Sequence, residues 1–483
     1  MLTWRRILIG LAVLAVIAGA ALYYVLNHGP GNVSNPDVAF EDETPTTTAT
    51  PEPGKKKPKE KPFVWTTYGY TLDRRRSVDV PAELVKPPFH RRWRYDSPVL
   101  LEFPPVLSER ALYVLRDDGV LDSIDKTTGK LRWTKHLGSL AASTPYLDLP
   151  GERLFLTILS GRSGGAGRAM AISTKGHGHV LWSKDLPART ESSPVYSDGT
   201  VYFGSENGVV YALSAKSGAT RWTYHAAGPV KSALALKDGK LYFGDYAGKV
   251  YALRASNGHR VWEASTKGAR FGFASGRFYG NPVVAYGRVF IGNVDSYVYS
   301  FGAETGQLAW RTKTNGYVYA SPTVGRGPGG KPSVFVGSYD GTFYALDARS
   351  GSIRWKYYAG GKISGGSTLL GDTIWFADLA NRRSFALDAR SGKKIFQYPR
   401  GGYSTVITDK KLLYLVGYGD IYALEPITAA RKRKIAAARR RRAAEKRRRA
   451  AARRRTCVKH AKRKYHRPKR RHAALKRCRR RKR

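Results

Sequence analysis

Cysteine and acidic side chains are both scarce in this 483-residue chain. The scarcity of cysteine excludes several kinds of site, and the scarcity of acids makes the chain strongly basic. The two cysteines, Cys457 and Cys478, both lie close to the C-terminus. The rest of the chain therefore has no disulfide, no cysteine-ligated metal and no lipid-attachment cysteine near the N-terminus. Aspartate and glutamate number 36 against 84 lysines and arginines, so the formal net charge is +48. Glycine and tyrosine are abundant instead, which favours many short strands joined by tight turns.

An apolar run near the N-terminus predicts a membrane anchor over residues 1–27. Residues 7–26 carry no charge, and 20 such residues are enough to cross a bilayer as a helix. Arg5 and Arg6 precede the run and acidic residues follow it, so the positive-inside rule places the N-terminus in the cytoplasm. A cleaved signal peptide is the alternative, because Ala18-Gly19-Ala20 fits a cleavage site. Both interpretations place the residues after this run outside the cytoplasm.

The next segment, residues 28–62, has the composition of a disordered linker. It combines proline, threonine and lysine with very few aromatic residues. Such a segment cannot offset the entropy of ordering by burying apolar surface. We expect a semi-extended spacer that holds the following domain away from the membrane.

A repeat of 40 to 50 residues dominates the middle of the chain. Tyr211–Trp222, Tyr251–Trp262 and Tyr344–Trp355 share one frame, in which a glycine stands four residues before a closing aromatic. A period of this length with several strands per unit predicts a β-propeller. We interpret the closing aromatics as structural rings that pack between neighbouring blades, because they recur in every unit. They are Trp133, Trp182, Trp222, Trp262, Trp310, Trp355 and Phe396.

The count of units predicts eight blades. Seven units end in an aromatic, and a partial unit over residues 403–425 follows without one. Trp93 lies in an earlier strand that has no preceding unit, so this strand is expected to complete the partial unit and close the ring. The predicted fold is an all-β, eight-bladed propeller over residues 63–425, flanked by the transmembrane helix and a basic tail over residues 426–483.

The frame from Ala345 to Trp355, Ala-x-Asp-x-x-x-Gly-x-x-x-Trp, resembles the tryptophan-docking repeat of pyrroloquinoline-quinone (PQQ) propellers. Trp65–Gly69 is similar to the Trp-x-x-x-Gly entry motif of the same group. The resemblance implies two kinds of relative. One is the PQQ-dependent dehydrogenases, and the other is BamB, a non-enzymatic, lipid-anchored protein of outer-membrane protein assembly. This chain departs from BamB in having a peptide anchor in place of a lipidated cysteine.

The enzyme branch of that family matches poorly. Its alcohol dehydrogenases carry a vicinal cysteine pair, which this propeller lacks, and hold Ca²⁺ with clustered carboxylate and amide side chains. Glu191 and Asn281 each precede a blade's first strand, but no third ligand accompanies them. We therefore predict a non-enzymatic scaffold with no catalytic, cofactor-binding or metal-binding residues and no cofactor. A PQQ-dependent oxidoreductase and a cell-wall or glycan-binding module are the alternatives.

One insertion is a candidate partner-binding loop. Residues 268–279 mix aromatic rings with arginine, a composition typical of interaction hot spots, although the rings would pack into the propeller in a purely structural loop. The candidate residues are Arg270, Phe271, Arg277 and Tyr279. Envelope proteins are the expected partners of a monomeric ring.

The tail has a separate chemistry. It holds 30 lysines and arginines and a single acid, Glu445, which predicts binding to polyanions. Outside the membrane, the candidates are anionic lipids or acidic wall polymers, whereas nucleic acid suits the charge but not the topology. Cys457 and Cys478 are candidates for a disulfide within the tail, because the protein is exported. A zinc site there is disfavoured by the cationic surroundings and the spacing.

Overall fold

The computed structural model describes residues 2–27, 31–43, 62–160, 166–266, 276–327, 329–427 and 429–480. The chain forms two compact units. The first comprises Met1–Pro87 and Arg91–Glu425, and the second Pro88–His90 and Pro426–Arg483.

Helices lie towards the two ends of the described chain. They are α1 (Leu2–Asn27), a 3₁₀ turn (Ala82–Val85), α2 (Ala429–Lys464) and α3 (Pro468–Arg480). Across the portions that the structure describes, no helix combines the length and apolarity needed to cross a membrane.

The strands form eight sheets within the described ranges. Three strands precede the first complete blade: β1 (Val33–Ser34), β2 (Ser77–Val78) and β3 (Phe89–Asp96). Blades one and two contain β4 (Val106–Leu107), β5 (Ala111–Leu115), β6 (Val120–Asp125), β7 (Leu131–His136), β8 (Tyr146–Asp148), β9 (Arg153–Ile158), β10 (Arg168–Ser173) and β11 (Val180–Asp185). Blades three and four contain β12 (Val195–Ser197), β13 (Thr200–Gly204), β14 (Val209–Ser214), β15 (Thr220–His225), β16 (Ala235–Lys237), β17 (Lys240–Gly244), β18 (Lys249–Arg254) and β19 (Arg260–Ser265).

The second half of the ring repeats this order. Blades five and six contain β20 (Val283–Ala285), β21 (Arg288–Gly292), β22 (Tyr297–Gly302), β23 (Leu308–Lys313), β24 (Thr323–Arg326), β25 (Pro332–Gly337), β26 (Thr342–Asp347) and β27 (Ile353–Tyr358). Blades seven and eight contain β28 (Thr368–Leu370), β29 (Thr373–Asp378), β30 (Arg383–Asp388), β31 (Lys394–Tyr398), β32 (Val406–Thr408), β33 (Leu413–Val416) and β34 (Asp420–Pro426). First strands of neighbouring blades contact one another, as β4 does β8 and β20 does β24, so they line the centre of the ring.

The eighth sheet confirms the predicted blade count and shows how the ring closes. Its order is β3-β34-β33-β32, so one early strand joins three strands from the end of the propeller. Trp93 on β3 donates its indole N–H to the Lys126 carbonyl of blade one at 3.0 Å. The eight-bladed propeller is therefore sealed by an ordinary blade-to-blade contact, made between distant parts of the chain.

Trp93 and each closing tryptophan pack against a glycine in the next blade. Trp222 donates its N–H to the Ala255 carbonyl at 3.0 Å, and its ring covers Gly258. A Cβ on Gly258 would lie 2.6 Å from the ring, and the φ of this glycine is +74°, which disfavours any side chain. The same ring-on-glycine contact recurs for Trp93 with Gly129, Trp133 with Gly178, Trp182 with Gly218, Trp262 with Gly306, Trp310 with Gly351, and Trp355 with Gly392.

Part of the predicted linker is instead integral to the propeller. Residues 31–43, here called the strap, add β1 as a fifth strand antiparallel to β23 of blade five. Val38 is only 4% exposed and belongs to the core between blades five and six, and Phe40 packs beside it. The disordered-linker prediction is wrong for these residues, because their few apolar side chains find a prepared groove. The rest of the predicted linker, residues 28–30 and 44–61, lies outside the described residues.

A second segment, residues 63–78, runs along the inner wall of the ring and is called the lining segment. Backbone N–H groups of six first strands donate to its carbonyls, at 2.7 to 3.0 Å. The donor and acceptor pairs are Leu107 with Trp65, Leu147 with Thr66, Leu236 with Leu72, Val284 with Asp73, Val324 with Arg75, and Leu369 with Arg76. The segment therefore satisfies inner-edge donors of blades one, two, four, five, six and seven.

Arg74 fixes the lining segment at the centre of the ring. It is fully buried and donates to the Leu234 carbonyl at 2.9 Å and the Thr67 hydroxyl at 2.8 Å. Its φ is +65°, in the left-handed region that costs a non-glycine residue energy. A strained backbone of this kind persists because the surrounding hydrogen bonds determine it.

The tail, taken by itself, is helical. α2 and α3 are linked by a disulfide between Cys457 and Cys478. Ala461 and Cys478 are buried, while most arginines and lysines of the described tail are exposed. The cross-link offsets the mutual repulsion of the charges, which would otherwise oppose helix pairing.

Candidate functional site at the channel mouth

A cavity opens at one end of the central channel of the ring, where the loops between blades lead into the first strands. Its empty volume is about 790 Å³, with the open solvent at its mouth included. Lining residues come from the loops before β4, β12, β16, β20, β24, β28 and β32, and the lining segment contributes Trp65, Tyr68 and Arg76. Seven blades thus converge on one concave surface, the arrangement that commonly forms binding sites.

Four tyrosines form a continuous row along one side of this mouth. The tyrosine row comprises Tyr246, Tyr279, Tyr319 and Tyr339, with successive ring centroids 6.3, 5.4 and 4.6 Å apart. Tyr317 extends it outward, 6.1 Å from Tyr319 and 53% exposed. The row spans blades four to six and presents amphipathic rings of the kind enriched in protein interfaces.

Basic side chains lie over the two ends of the row. The Arg277 guanidinium is 5.5 Å from the Tyr246 ring centroid, and the Lys362 ammonium is 5.5 Å from that of Tyr339. These distances allow cation–π attraction. The row therefore combines aromatic faces with cations, which equips it to hold a partner's carboxylates, aromatic rings or backbone carbonyls.

Acids and one lysine form the polar part of the mouth. Lys231 donates to Glu191 at 2.7 Å and contacts Glu206 at 2.8 Å. Burial opposes its charge, but the hydrogen bonds to these two carboxylates prevail and raise the pKa of Lys231. Burial also raises the pKa of Glu102 to about 7, assisted by the nearby charges of Asp117 and Glu191.

The residues present do not fit the Ca²⁺ of a PQQ enzyme. The carboxylate of Glu191 is occupied by Lys231 and by the Tyr279 hydroxyl at 3.2 Å. The Asn281 carbonyl accepts the Ala233 N–H, and its amide donates to Ser321 at 2.8 Å. Both candidate ligands are thus already engaged by protein groups, and a neighbouring ammonium disfavours a divalent cation. Elsewhere in the described ranges, too, no group of three or more His, Cys, Asp or Glu could hold a metal.

The structure places two of the four predicted binding residues at this mouth. Arg277 is exposed and covers Tyr246, and Tyr279 is a member of the tyrosine row. Phe278 between them is fully buried in the core between blades four and five, so this ring is structural. Arg270 and Phe271 lie outside the described residues.

Sequence reasoning missed three of the four tyrosines. Tyr246 and Tyr339 occupy the same position of the repeat, two residues after a strand-ending glycine, where Glu206 stands in blade three. The available signal was that this position varies between repeats, whereas the spacing around it stays constant. Tyr319 lies in a blade-connecting loop and carried no such mark.

Comparison with known proteins agrees with this architecture. Residues 149–318 and 294–460 match the profile of a protein family described as outer membrane protein assembly factor BamB. The chain belongs to this family. The predicted resemblance to a PQQ-type, BamB-like propeller is thereby confirmed.

Individual proteins match this chain over shorter stretches. BamB of Yersinia pestis is 30% identical over 129 residues, which cover 24% of this chain and 32% of that protein. The serine/threonine-protein kinase AfsK of Streptomyces griseus is 31% identical over 129 residues, which cover 25% of this chain and 15% of the kinase. The matched region is thus no more than a third of either relative.

Solved structures share the fold. BamB from Moraxella catarrhalis superposes with a TM-score of 0.57 at 17% identity, over 70% of this chain and all of that one. A europium-containing methanol dehydrogenase gives a TM-score of 0.62 at 12% identity, over 76% and 98% of the two chains. At these identities the likeness concerns the propeller alone, which hosts both scaffolds and enzymes.

Proposed function

We propose that this BamB-family propeller is a non-enzymatic scaffold of the cell envelope that binds a protein partner at the channel mouth. The tyrosine row, with Arg277 and Lys362 over its ends, is the observation that carries the proposal. Tyrosine and arginine supply large contact areas and are over-represented among interface hot spots. The mouth belongs to a rigid ring, so a partner meets a preorganised surface and ordering costs little.

Membrane anchoring is the second element of the proposal. Residues 7–26 form an uncharged run preceded by Arg5 and Arg6, which supports a single span with the propeller and tail outside the cytoplasm. A disulfide in the tail is consistent with that location, because disulfides persist in oxidising compartments.

The tail supplies a separate, electrostatic contact. Its exposed arginines and lysines would bind a polyanion such as anionic lipid or an acidic wall polymer. Retention of the full chain on isolated cell envelopes should fall as salt rises, because counterions screen the contact. Removal of residues 426–483 should abolish that salt dependence. An unchanged salt profile would show that the tail does not contribute to retention.

The oxidoreductase alternative has a direct test. Full-length protein incubated with PQQ and Ca²⁺ should not reduce an artificial dye with alcohols or sugars, since Glu191 and Asn281 are engaged by protein groups and Lys231 places a positive charge beside them. Dye reduction that requires PQQ would overturn the scaffold proposal.

Partner binding is tested by photo-crosslinking in intact cells. A photoreactive amino acid replaces Tyr319 in the row or, as a control, Leu131 on the outer strand of blade one. We expect a discrete adduct with one envelope protein from position 319 and none from position 131. Equal adducts from both positions, or wall glycan as the captured species at position 319, would refute a protein-binding mouth.

A further inference from the structure

The strap begins at the mouth end of blade five. Asn32 accepts the Lys313 backbone N–H through its side-chain oxygen at 2.8 Å, and Val33 pairs with Arg311. β23 ends at Lys313, and the loop that follows carries Tyr317 and Tyr319 to the mouth. The chain therefore reaches the propeller at the outer, mouth-side corner of blade five.

From that corner the strap crosses to the opposite end of the blade and is held along its length. The Asn35 N–H donates to the Ala309 carbonyl at 2.6 Å, and Arg288 donates to the carbonyls of Val38 and Ala39 at 2.6 and 3.0 Å. Phe40 stacks on Tyr286 with centroids 5.4 Å apart. This row of bonds makes the strap part of the ring rather than a free tether.

The strap ends in an ion-pair cluster at the lining segment. Glu43 pairs with Arg75 and accepts from Lys237 at 2.8 Å. Burial opposes the Glu43 charge, but the bonds from Arg75 and Lys237 prevail and lower its pKa to about 2. Both ends of the strap are therefore fixed, and it cannot lengthen the connection to the N-terminal helix without breaking these contacts.

The remaining connection is short. α1 ends at Asn27 and the first strap contact is made by Asn32, so five peptide steps join them. Five steps span at most about 18 Å, whereas the predicted 35-residue spacer would reach about 120 Å. The ring thus cannot stand far from the end of α1.

Exposed tyrosines and lysines cluster on this side of the ring. Tyr317 is 53% exposed and Tyr358, at the end of the outer strand of blade six, is 70% exposed. Lys313 and Lys356 are also exposed. Tyrosine and lysine are the side chains that favour a membrane–water interface with anionic headgroups. We call Lys313, Tyr317, Lys356 and Tyr358 the interfacial corner.

We propose that the interfacial corner of blades five and six rests on the anionic lipid headgroups of the membrane that holds α1. This inference depends on the proposed anchor. It makes the mouth open beside the bilayer surface, so a partner approaches along the membrane. The strap, not a long linker, sets that geometry.

Full-length protein in phosphatidylcholine vesicles with one-third phosphatidylglycerol tests the orientation. A fluorescent amino acid replaces Tyr358 in one variant and Leu131, on the far side of the ring, in another. A headgroup-linked quencher lipid should quench the probe at position 358 strongly and leave position 131 emitting. Equal quenching at both positions in vesicle-bound protein would overturn the inference.

Two controls separate this inference from the anchor itself. Carbonate washing of the vesicles reports whether α1 is inserted, and release of the protein would sink the anchor proposal irrespective of quenching. Insertion of twenty glycine and serine residues between Gly31 and Asn32 should keep the protein in the vesicles but relieve quenching at position 358. Persistent quenching in that variant would show that the short tether does not set the orientation.

Discussion

At the residue scale, the ring is held by indoles that lie on glycine backbones. The contact explains why glycine stands four residues before each closing aromatic: it must leave room for the ring of the preceding blade and adopt a positive φ. The indole N–H also meets a carbonyl of the next blade, so one side chain supplies both apolar contact and a polar bond. The pair, rather than the tryptophan alone, is the unit of blade-to-blade cohesion.

Gly258→Ala tests this pairing against Gly239→Ala. Both glycines have φ near +70°, but a Cβ at Gly258 meets Trp222, whereas nothing lies within 4 Å at Gly239. We expect Gly239→Ala to cost about 1 kcal/mol for backbone strain alone. Gly258→Ala should cost about 1–3 kcal/mol more, because the indole must move. Urea unfolding measures both; equal losses would mean that the ring contact contributes nothing.

Glu102 gives the mouth a pH-dependent stability. Its pKa of about 7 in the folded state lies above its ordinary value of 4.5, because burial disfavours the charged form. The folded protein therefore holds a proton that the unfolded chain releases, and stability declines as pH rises from 4.5 to 7. Glu102→Gln should stabilise the protein by about 1–3 kcal/mol at pH 8 and have little effect at pH 4. Thermal unfolding at both pH values, with exposed Glu109→Gln as control, checks this; a gain confined to pH 4 would contradict it.

Patterns within each repeat predicted the architecture, but they did not reveal most of the tyrosines at the channel mouth. The repeat period, the glycine–aromatic spacing and the unpaired Trp93 strand together indicated eight closed blades. Tyr246, Tyr319 and Tyr339 lie on different blades and meet only after the ring closes, so no local pattern could join them. The placement of Arg277 and Tyr279 beside them was likewise a consequence of closure.

At the element scale, two irregular segments complete the propeller. The strap fills the edge of blade five, and the lining segment takes up inner-edge hydrogen bonds of six blades. The strap escaped sequence analysis because its apolar residues, Val33, Val38, Ala39 and Phe40, are few in a polar context, and their partners are distant. Its order derives from the groove between Tyr286 and Arg349, which local composition does not encode.

Phe40→Ala should loosen the strap while the ring stays folded. Loss of the half-buried ring removes its contacts with Tyr286 and Arg349, at a cost of about 1–2 kcal/mol. Hydrogen exchange at the amides of Asn35 and Glu41, which bond blade five, should accelerate markedly. Asp37→Ala, at an exposed strap position, is the matched control. Unchanged exchange in Phe40→Ala would show that Phe40 does not hold the strap.

At the scale of the whole molecule, a closed ring of the BamB family is combined with a short tether and a basic helical tail. The propeller presents its mouth, and the tail presents positive charge held in helices by one disulfide. The propeller and the tail are stabilised by different contacts. Removing the contacts of one should therefore not unfold the other.

Cys457→Ser separates the tail from the ring. Without the disulfide, repulsion among exposed arginines should melt α3 and part of α2, and helical circular dichroism should fall. The thermal transition of the propeller should not move, because no cysteine lies in it. Cys478→Ser should give the same result as Cys457→Ser. A lowered propeller transition in either variant would contradict the independence of the two units.

The central claim, a protein-binding mouth, is tested most directly by the crosslink from position 319 when the neighbouring row is removed. Tyr279→Ala combined with Tyr339→Ala leaves the photoreactive residue in place and deletes the two rings of the row that flank it. With thermal unfolding used to confirm a folded ring, we predict that the envelope-protein adduct is lost. An undiminished adduct from the folded variant would show that the tyrosine row is not the binding surface.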